Sequence, residues 1–111
     1  SYQKLFKDSK FIIQKEIGNS SSFWLTFVIK KNNKINRSLL IKKLKNLGVE
    51  CRPIVSGNFV RNKVCQYLNF KVQGKLKNAD YISEKGFAIG NSHHNLSQNL
   101  KKIKSFFEKI K

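Results

Sequence analysis

A chain of 111 residues and 12.9 kDa can close one hydrophobic core and is too short for two. Hydrophobic residues make up 40% of it, nine Phe and one Trp among them, which excludes wholesale disorder, and no run approaches the roughly 20 apolar residues of a membrane-spanning helix or resembles a signal peptide. The net charge of +17 points towards a polyanion, yet twenty of the 23 basic residues are Lys, dispersed along the chain, with only Arg37, Arg52 and Arg61 suited to base-edge or bidentate phosphate recognition, so a solvated surface is favoured over a dedicated nucleic-acid face.

Residues 1–22 mix polar and apolar positions and read as a leading segment and loop, with a short edge strand at 11–14 and a turn-rich run, Gly18-Asn19-Ser20-Ser21-Ser22. The continuous apolar and β-branched stretch 23–29 predicts a central strand covered on both faces. After a polar turn, Asn36 is placed to cap a helix whose Leu39, Leu40, Leu44 and Leu47 recur at helical spacing. Gly48 ends that helix in the left-handed conformation, with Val49 folding back onto Leu44.

A strand is expected over 49–52, limited by Pro53, followed by a loop at Ser56-Gly57-Asn58. Val60, Val64 and Leu68 predict one face of a short helix, and 71–77 a connector. Asn78 is expected to cap a second short helix ending at Gly86, before a buried strand at 87–89 and a loop containing His93 and His94. The last element is an amphipathic helix with Leu96, Leu100, Ile103, Phe107 and Ile110 inward and Lys101, Lys102, Lys104 and Lys109 outward. This order implies an α+β domain, a small, mainly antiparallel sheet with helices packed on one face.

The chain opens at Ser1 without a Met and is read as a piece of a longer, cytoplasmic protein. Cys51 and Cys65 form neither a CxxC pair nor a disulfide framework, so reduced thiols and no zinc site are expected. The segment around Arg52, with its rigid Pro53 and the Ser56-Gly57-Asn58 turn, has the features of a site-forming strand end. The plain alternative for Arg52 is an ion pair with Glu50 or Glu84. His93 and His94 are neighbours whose side chains diverge, with no third ligand close in sequence, so a metal site is not indicated and a surface position leads.

The run Arg52-Pro53-Ile54-Val55-Ser56-Gly57-Asn58-Phe59, a basic residue soon after at Arg61 or Lys63, then Leu76-Lys77-Asn78-Ala79-Asp80-Tyr81-Ile82 and Gly86-Phe87-Ala88-Ile89-Gly90-Asn91 resemble the DegT/DnrJ/StrS family in order and spacing. Phe23-Trp24 resembles the aromatic strand opening that family's small domain, and the likeness spans essentially the whole chain. The resemblance implies that residues 1–111 are the C-terminal small domain of an enzyme dependent on pyridoxal or pyridoxamine phosphate (PLP or PMP). Its Ser-Gly-Asn loop is most similar to the sugar-nucleotide 3-dehydratases acting on 4-keto-6-deoxyhexoses, with the sugar aminotransferases of the same family as the alternative and a basic nucleic-acid-binding module as the rival outside it. It further implies deoxysugar or polysaccharide biosynthesis, a homodimeric parent, and a large domain, absent here, that binds the cofactor and carries its catalytic Lys or His. No catalytic residue and no bound cofactor are expected in this chain alone. Substrate contacts are expected from Arg52 and Asn58, with Ser56 and Gly57 forming the loop, Arg61 as a weaker third, and His93 beside the site because the family often has His in that loop. Glu84 is placed to orient Arg52 or cap a turn.

Overall fold

In the computed structural model, which describes residues 2–19 and 23–110, the strands β1 (Phe11–Ile13), β2 (Trp24–Ile29), β3 (Cys51–Pro53) and β4 (Gly86–Gly90) form one antiparallel sheet in the order β1-β2-β4-β3. Four helices accompany it: α1 (Tyr2–Phe6), α2 (Arg37–Asn46), α3 (Lys77–Lys85) and α4 (Ser97–Lys109). This is the expected α+β class, and β1 is the expected edge strand. Ser20, Ser21 and Ser22 of the expected turn lie outside the described residues.

The core lies on one face, where α1, α2 and α4 supply Phe6, Leu40, Leu44, Ile103 and Phe107 against Phe11, Phe27, Phe87 and Ile89 of the sheet. Register explains why the aromatics meet: Phe27 lies opposite Phe87, and their rings stack 5.4 Å apart at 14°. Phe6, Phe11 and Phe107 surround Phe27 with centroids 5.1, 5.9 and 5.5 Å away, the edge-to-face contacts that the ring quadrupole favours.

β2 departs from its expected environment. Leu25, Phe27 and Ile29 are buried, whereas Trp24, Thr26 and Val28 are half-buried on the reverse face, and Phe23 lies outside the strand at 82% exposure. The alternation arises because the three core-forming helices all lie on the other side. The 2–6 segment, expected as loop, is helical; five residues are too few to show a period, and burial of Phe6 against Phe27 and Phe107 supplies what local propensity lacks.

α2 begins as anticipated, the Asn36 side chain accepting from the Leu39 N–H at 3.0 Å. Gly48 takes φ +76°, donates to the Lys45 carbonyl at 2.9 Å, and lets the Val49 N–H reach the Leu44 carbonyl at 3.0 Å, a Schellman closure. The inward face is Leu40, Ile41 and Leu44; Leu39 and Leu47, expected in that stripe, are exposed. β3 starts later than expected and includes Pro53, which a sheet edge tolerates because no ladder donor is lost from an interior strand.

The expected helix over Val60, Val64 and Leu68 is instead two 3₁₀ turns, Phe59–Arg61 and Lys63–Tyr67, with Val64 and Leu68 exposed. Asn62 breaks it: its side chain accepts from the Val64 N–H at 3.1 Å, the local alternative that Asn offers to a continuing α-helix. α3 starts at Lys77 after Leu76, without a side-chain cap, so Asn78 sits inside its first turn. Gly86 occupies the C-cap with extended dihedrals, φ −86° and ψ 144°, and is also the first residue of β4. A Cβ there would come 2.4 Å from the Ile82 carbonyl oxygen, so glycine is required by close approach rather than by handedness. Arg37 donates to the Ser83 and Gly86 carbonyls, placing a cation at the C-terminal end of α3, where the helix dipole favours one.

Candidate functional site

Arg52 stands on the reverse face of the sheet because strand alternation turns Cys51 into the core and its neighbour outward. Cys51 is 1% exposed, with its thiol raised by burial, a lean that nearby Lys45 partly offsets, and both cysteines are free. Arg52 lies opposite Ala88, while Trp24 lies opposite Gly90 two residues further along β4. This register brings the Arg52 guanidinium over the indole, 5.3 Å from the ring centroid, and the adjacent Glu50 carboxylate accepts from it at 2.8 Å.

The Arg52 side chain nevertheless remains 60% exposed. An exposed ion pair and an exposed cation–π contact each contribute about 1 kcal/mol or less, so the two interactions aim the guanidinium without enclosing it. Glu84, the other expected partner, pairs with Lys85 at 2.8 Å instead. Trp24 was expected only as a strand residue; its place beneath Arg52 depends on a cross-strand register that linear sequence does not display.

At the other end of β4 the chain leaves the sheet through Ile54 and turns at Ser56-Gly57-Asn58 against α3. Ser56 is exposed, whereas Asn58 is 8% exposed and committed at both ends of its amide. Its Oδ1 accepts from the Val60 N–H at 3.1 Å, capping the first 3₁₀ turn, and its Nδ2 donates to Asp80 Oδ1 at 2.7 Å. Arg61 grips the same carboxylate in a fork, Nε to Oδ1 at 2.9 Å and Nη2 to Oδ2 at 3.1 Å. Asn58 and Arg61, expected to contact substrate, thus have their side chains joined to Asp80 and lock the loop onto α3. Asp80, the hub of this cluster, had been noticed only as part of a run of residues.

Hydrogen bonds from Arg61 and then from Asn58 hold the Asp80 carboxyl below the usual carboxylate range, and the same pairing raises Arg61. A depressed folded-state value contributes stability that is complete above the unfolded carboxyl's value of about 4 and is lost as pH falls through the folded value. Asp80→Asn is therefore expected to lower the urea midpoint at pH 7 and to flatten its decline as the pH falls below about 4, a comparison that equilibrium unfolding at several pH values would make.

Gly57 fixes how closely the loop approaches the helix. A Cβ at Gly57 would lie 2.4 Å from the Ser83 Cα and 2.7 Å from its backbone nitrogen, and neither atom is a side-chain end that could swing away. Gly57→Ala is expected to destabilise the domain by about 1–3 kcal/mol, as overpacking does, whereas Ser56→Ala at its exposed neighbour should change stability by less than about 0.5 kcal/mol. Thermal melts of both variants beside the parent would check the contrast.

His93 is exposed on the loop after β4, its ring 3.9 Å from that of His94. No group of three or more His, Cys, Asp or Glu able to hold a metal occurs among the described residues. A groove of 750 Å³ opens near the Glu50 end of the sheet, between the α2–β3 turn and α4, with Leu47, Gly90, Asn91, Leu100 and Phe106 in its lining. The expected contacts are accordingly divided: Arg52 stands on the edge strand β3 and leans towards Trp24, the Ser56–Asn58 loop packs on α3 before Gly86, and His93 follows Gly90. No described helix is long and apolar enough to cross a membrane.

This arrangement has close counterparts. The GDP-4-keto-6-deoxy-D-mannose 3-dehydratase of Yersinia pseudotuberculosis is 37% identical over 110 residues, which are 97% of this chain and 28% of that protein. The structure of the E. coli GDP-4-keto-6-deoxy-D-mannose-3-dehydratase with bound hydrated PLP superposes with a TM-score of 0.89 at 34% identity, covering 96% of this chain and 28% of that one. A second structure of a GDP-4-keto-6-deoxymannose-3-dehydratase, with bound GDP-perosamine, matches with the same score, identity and coverage. The chain thus spans little more than a quarter of the length of these relatives. The sequence pattern of one family covers residues 1–108, and with it the Arg52 strand end, the Asp80 cluster and the Gly86 junction: the chain belongs to the DegT/DnrJ/EryC1/StrS aminotransferase family.

Proposed function

We propose that this chain is the C-terminal small domain of a PLP- or PMP-dependent sugar-nucleotide enzyme, a 3-dehydratase acting on a GDP-4-keto-6-deoxyhexose in deoxysugar biosynthesis, and that it forms one wall of the substrate cleft. The observation that carries the reading is the likeness to the 3-dehydratases over nearly the entire chain, at 34–37% identity. A reactive lysine needs a desolvated or electrostatically biased pocket, and the described residues by themselves bury no lysine, so none of them is singled out for that role. The cofactor, with the electron-sink chemistry it supplies, is therefore assigned to the remainder of the enzyme, together with the catalytic Lys or His.

This domain binds and orients. Arg52 donates charge-assisted hydrogen bonds to phosphate or sugar oxygens, Ser56 and the Gly57 backbone offer neutral contacts, and His93 borders the cleft. Asn58 and Arg61 act through Asp80 by holding the loop in place. The homodimer and the cytoplasmic setting belong to the same proposal.

The test is to incubate the intact polypeptide carrying this chain with PLP, glutamate and GDP-4-keto-6-deoxymannose and to identify the product by mass spectrometry. A sugar lacking its C3 hydroxyl is the expected product. A 4-amino sugar would instead make the parent an aminotransferase, and an unaltered sugar nucleotide would overturn both readings.

A further inference from the structure

Thirteen large apolar side chains are exposed among the described residues, and seven of them fall between positions 55 and 72. Val55, Phe59, Val64, Tyr67, Leu68 and Phe70 are each between 42% and 91% exposed, and neither 3₁₀ turn in this stretch buries a residue. Such a density of bare apolar surface in one short stretch marks a binding face.

From Asn58 to Leu68 the stretch is also held in shape. Asn58 and Asn62 cap its two turns, the Cys65 thiol donates to the Phe59 carbonyl at 3.1 Å, and the Asn58–Asp80–Arg61 cluster ties it to α3. Order without burial means that these side chains are presented rather than merely left over, and a preordered face loses little conformational entropy when covered.

Charge decides between occupants. Lys63 and Lys71 accompany the apolar residues, with Lys75 and Lys77 just beyond them, and no Asp or Glu occurs between 55 and 79; the charge of Arg61 is balanced by Asp80. A two-fold contact between two copies of this face would set these cations against themselves, so self-pairing is disfavoured. The relatives are more than three times as long as this chain, which leaves ample polypeptide to cover the face. A tethered partner also needs only weak intrinsic affinity, because its effective concentration is high.

We infer that residues 55–72 form a docking ridge for the remainder of the same polypeptide, which meets it with an apolar patch rimmed by acidic side chains. The inference rests on the proposal that the chain is one part of a longer enzyme, and it adds which surface joins the parts.

Hydroxyl-radical footprinting of the intact enzyme tests it, with the oxidation rates of Phe59 and Tyr67 in the native protein compared with those in its tryptic digest. A docked ridge should be oxidised at least tenfold more slowly in the native enzyme. Rates within twofold of the digest would overturn the inference, and so would shielding that disappears when the oligomer is diluted to protomers, which would hand the face to a second copy. Turnover of the GDP sugar, measured on the same sample, keeps the two proposals apart: an active enzyme with a bare ridge sinks only the docking face, and an inactive protein with a shielded ridge sinks only the dehydratase.

Discussion

Phe27→Ala is expected to lower the unfolding free energy by about 3–5 kcal/mol, the range for removing a fully buried aromatic, and so to remove most of the margin of a domain whose total stability falls in the usual range of about 5–15 kcal/mol. Phe27 is fully buried and touches the rings of Tyr2, Phe6, Phe11, Phe87 and Phe107, so alanine leaves a cavity that four surrounding elements would have to collapse together to fill. Collapse is resisted because β2 and β4 are held in register by their ladder, and α1 and α4 rest on the same ring cluster. Phe23→Ala, four residues away at 82% exposure, is expected to change stability by less than about 0.5 kcal/mol. Urea unfolding followed by circular dichroism would compare the two, and a loss below about 1 kcal/mol at Phe27 would contradict the core as described.

Arg52→Ala should have the opposite profile, leaving the fold intact and impairing the enzyme. The side chain is 60% exposed, and its contacts with Glu50 and Trp24 lie at the surface, so stability is expected to fall by about 1 kcal/mol or less. Losing a charge-assisted hydrogen bond to a substrate oxygen removes about 1.5–3 kcal/mol, a roughly 10- to 150-fold fall in kcat/KM for the GDP sugar. Most of this should appear in KM, because the residue is assigned to binding rather than to the reacting atoms. Arg52→Lys is expected to recover only part of the loss, since an ammonium lacks the planar fork that lies over the indole and reaches two oxygens. Steady-state kinetics of the intact enzyme with both variants would decide. An unchanged kcat/KM would remove Arg52 from the site.

The sequence displayed the parts of this domain that depend on local chemistry. Asn36 and Gly48 bracket α2 because a side-chain acceptor and a left-handed glycine act within a few residues of themselves. The continuous apolar run likewise disclosed β2, and the short apolar stretch after Gly86 disclosed β4. What stayed hidden depends on partners distant in sequence. α1 forms because Phe6 finds Phe27 and Phe107, and the reverse face of β2 is half-bare because α1, α2 and α4 all pack on the other side. The stretch after Asn58 seemed helical from the spacing of Val60, Val64 and Leu68, but the Asn62 cap interrupts it.

The candidate site was legible in the same uneven way. Arg52 could be singled out as a cation at a strand end beside Pro53. Asn58 and Arg61 could be noticed as polar groups near a turn, yet their joint attachment to Asp80, 22 and 19 residues away, is visible only in three dimensions. Trp24 beneath Arg52 is a similar case, produced by two strands that flank β4 from opposite sides.

The junction at Gly86 has a mechanical consequence. Because α3 ends on Lys85 and β4 begins on the next residue, no flexible linker separates helix from strand, and the loop fastened to α3 is geared to the strand that seats Arg52. A tilt of α3 would swing both ends of the proposed wall together, like two handles on one lever. Reshaping this wall for a different sugar would therefore proceed through replacement of individual side chains, with the backbone frame moving as a unit or not at all.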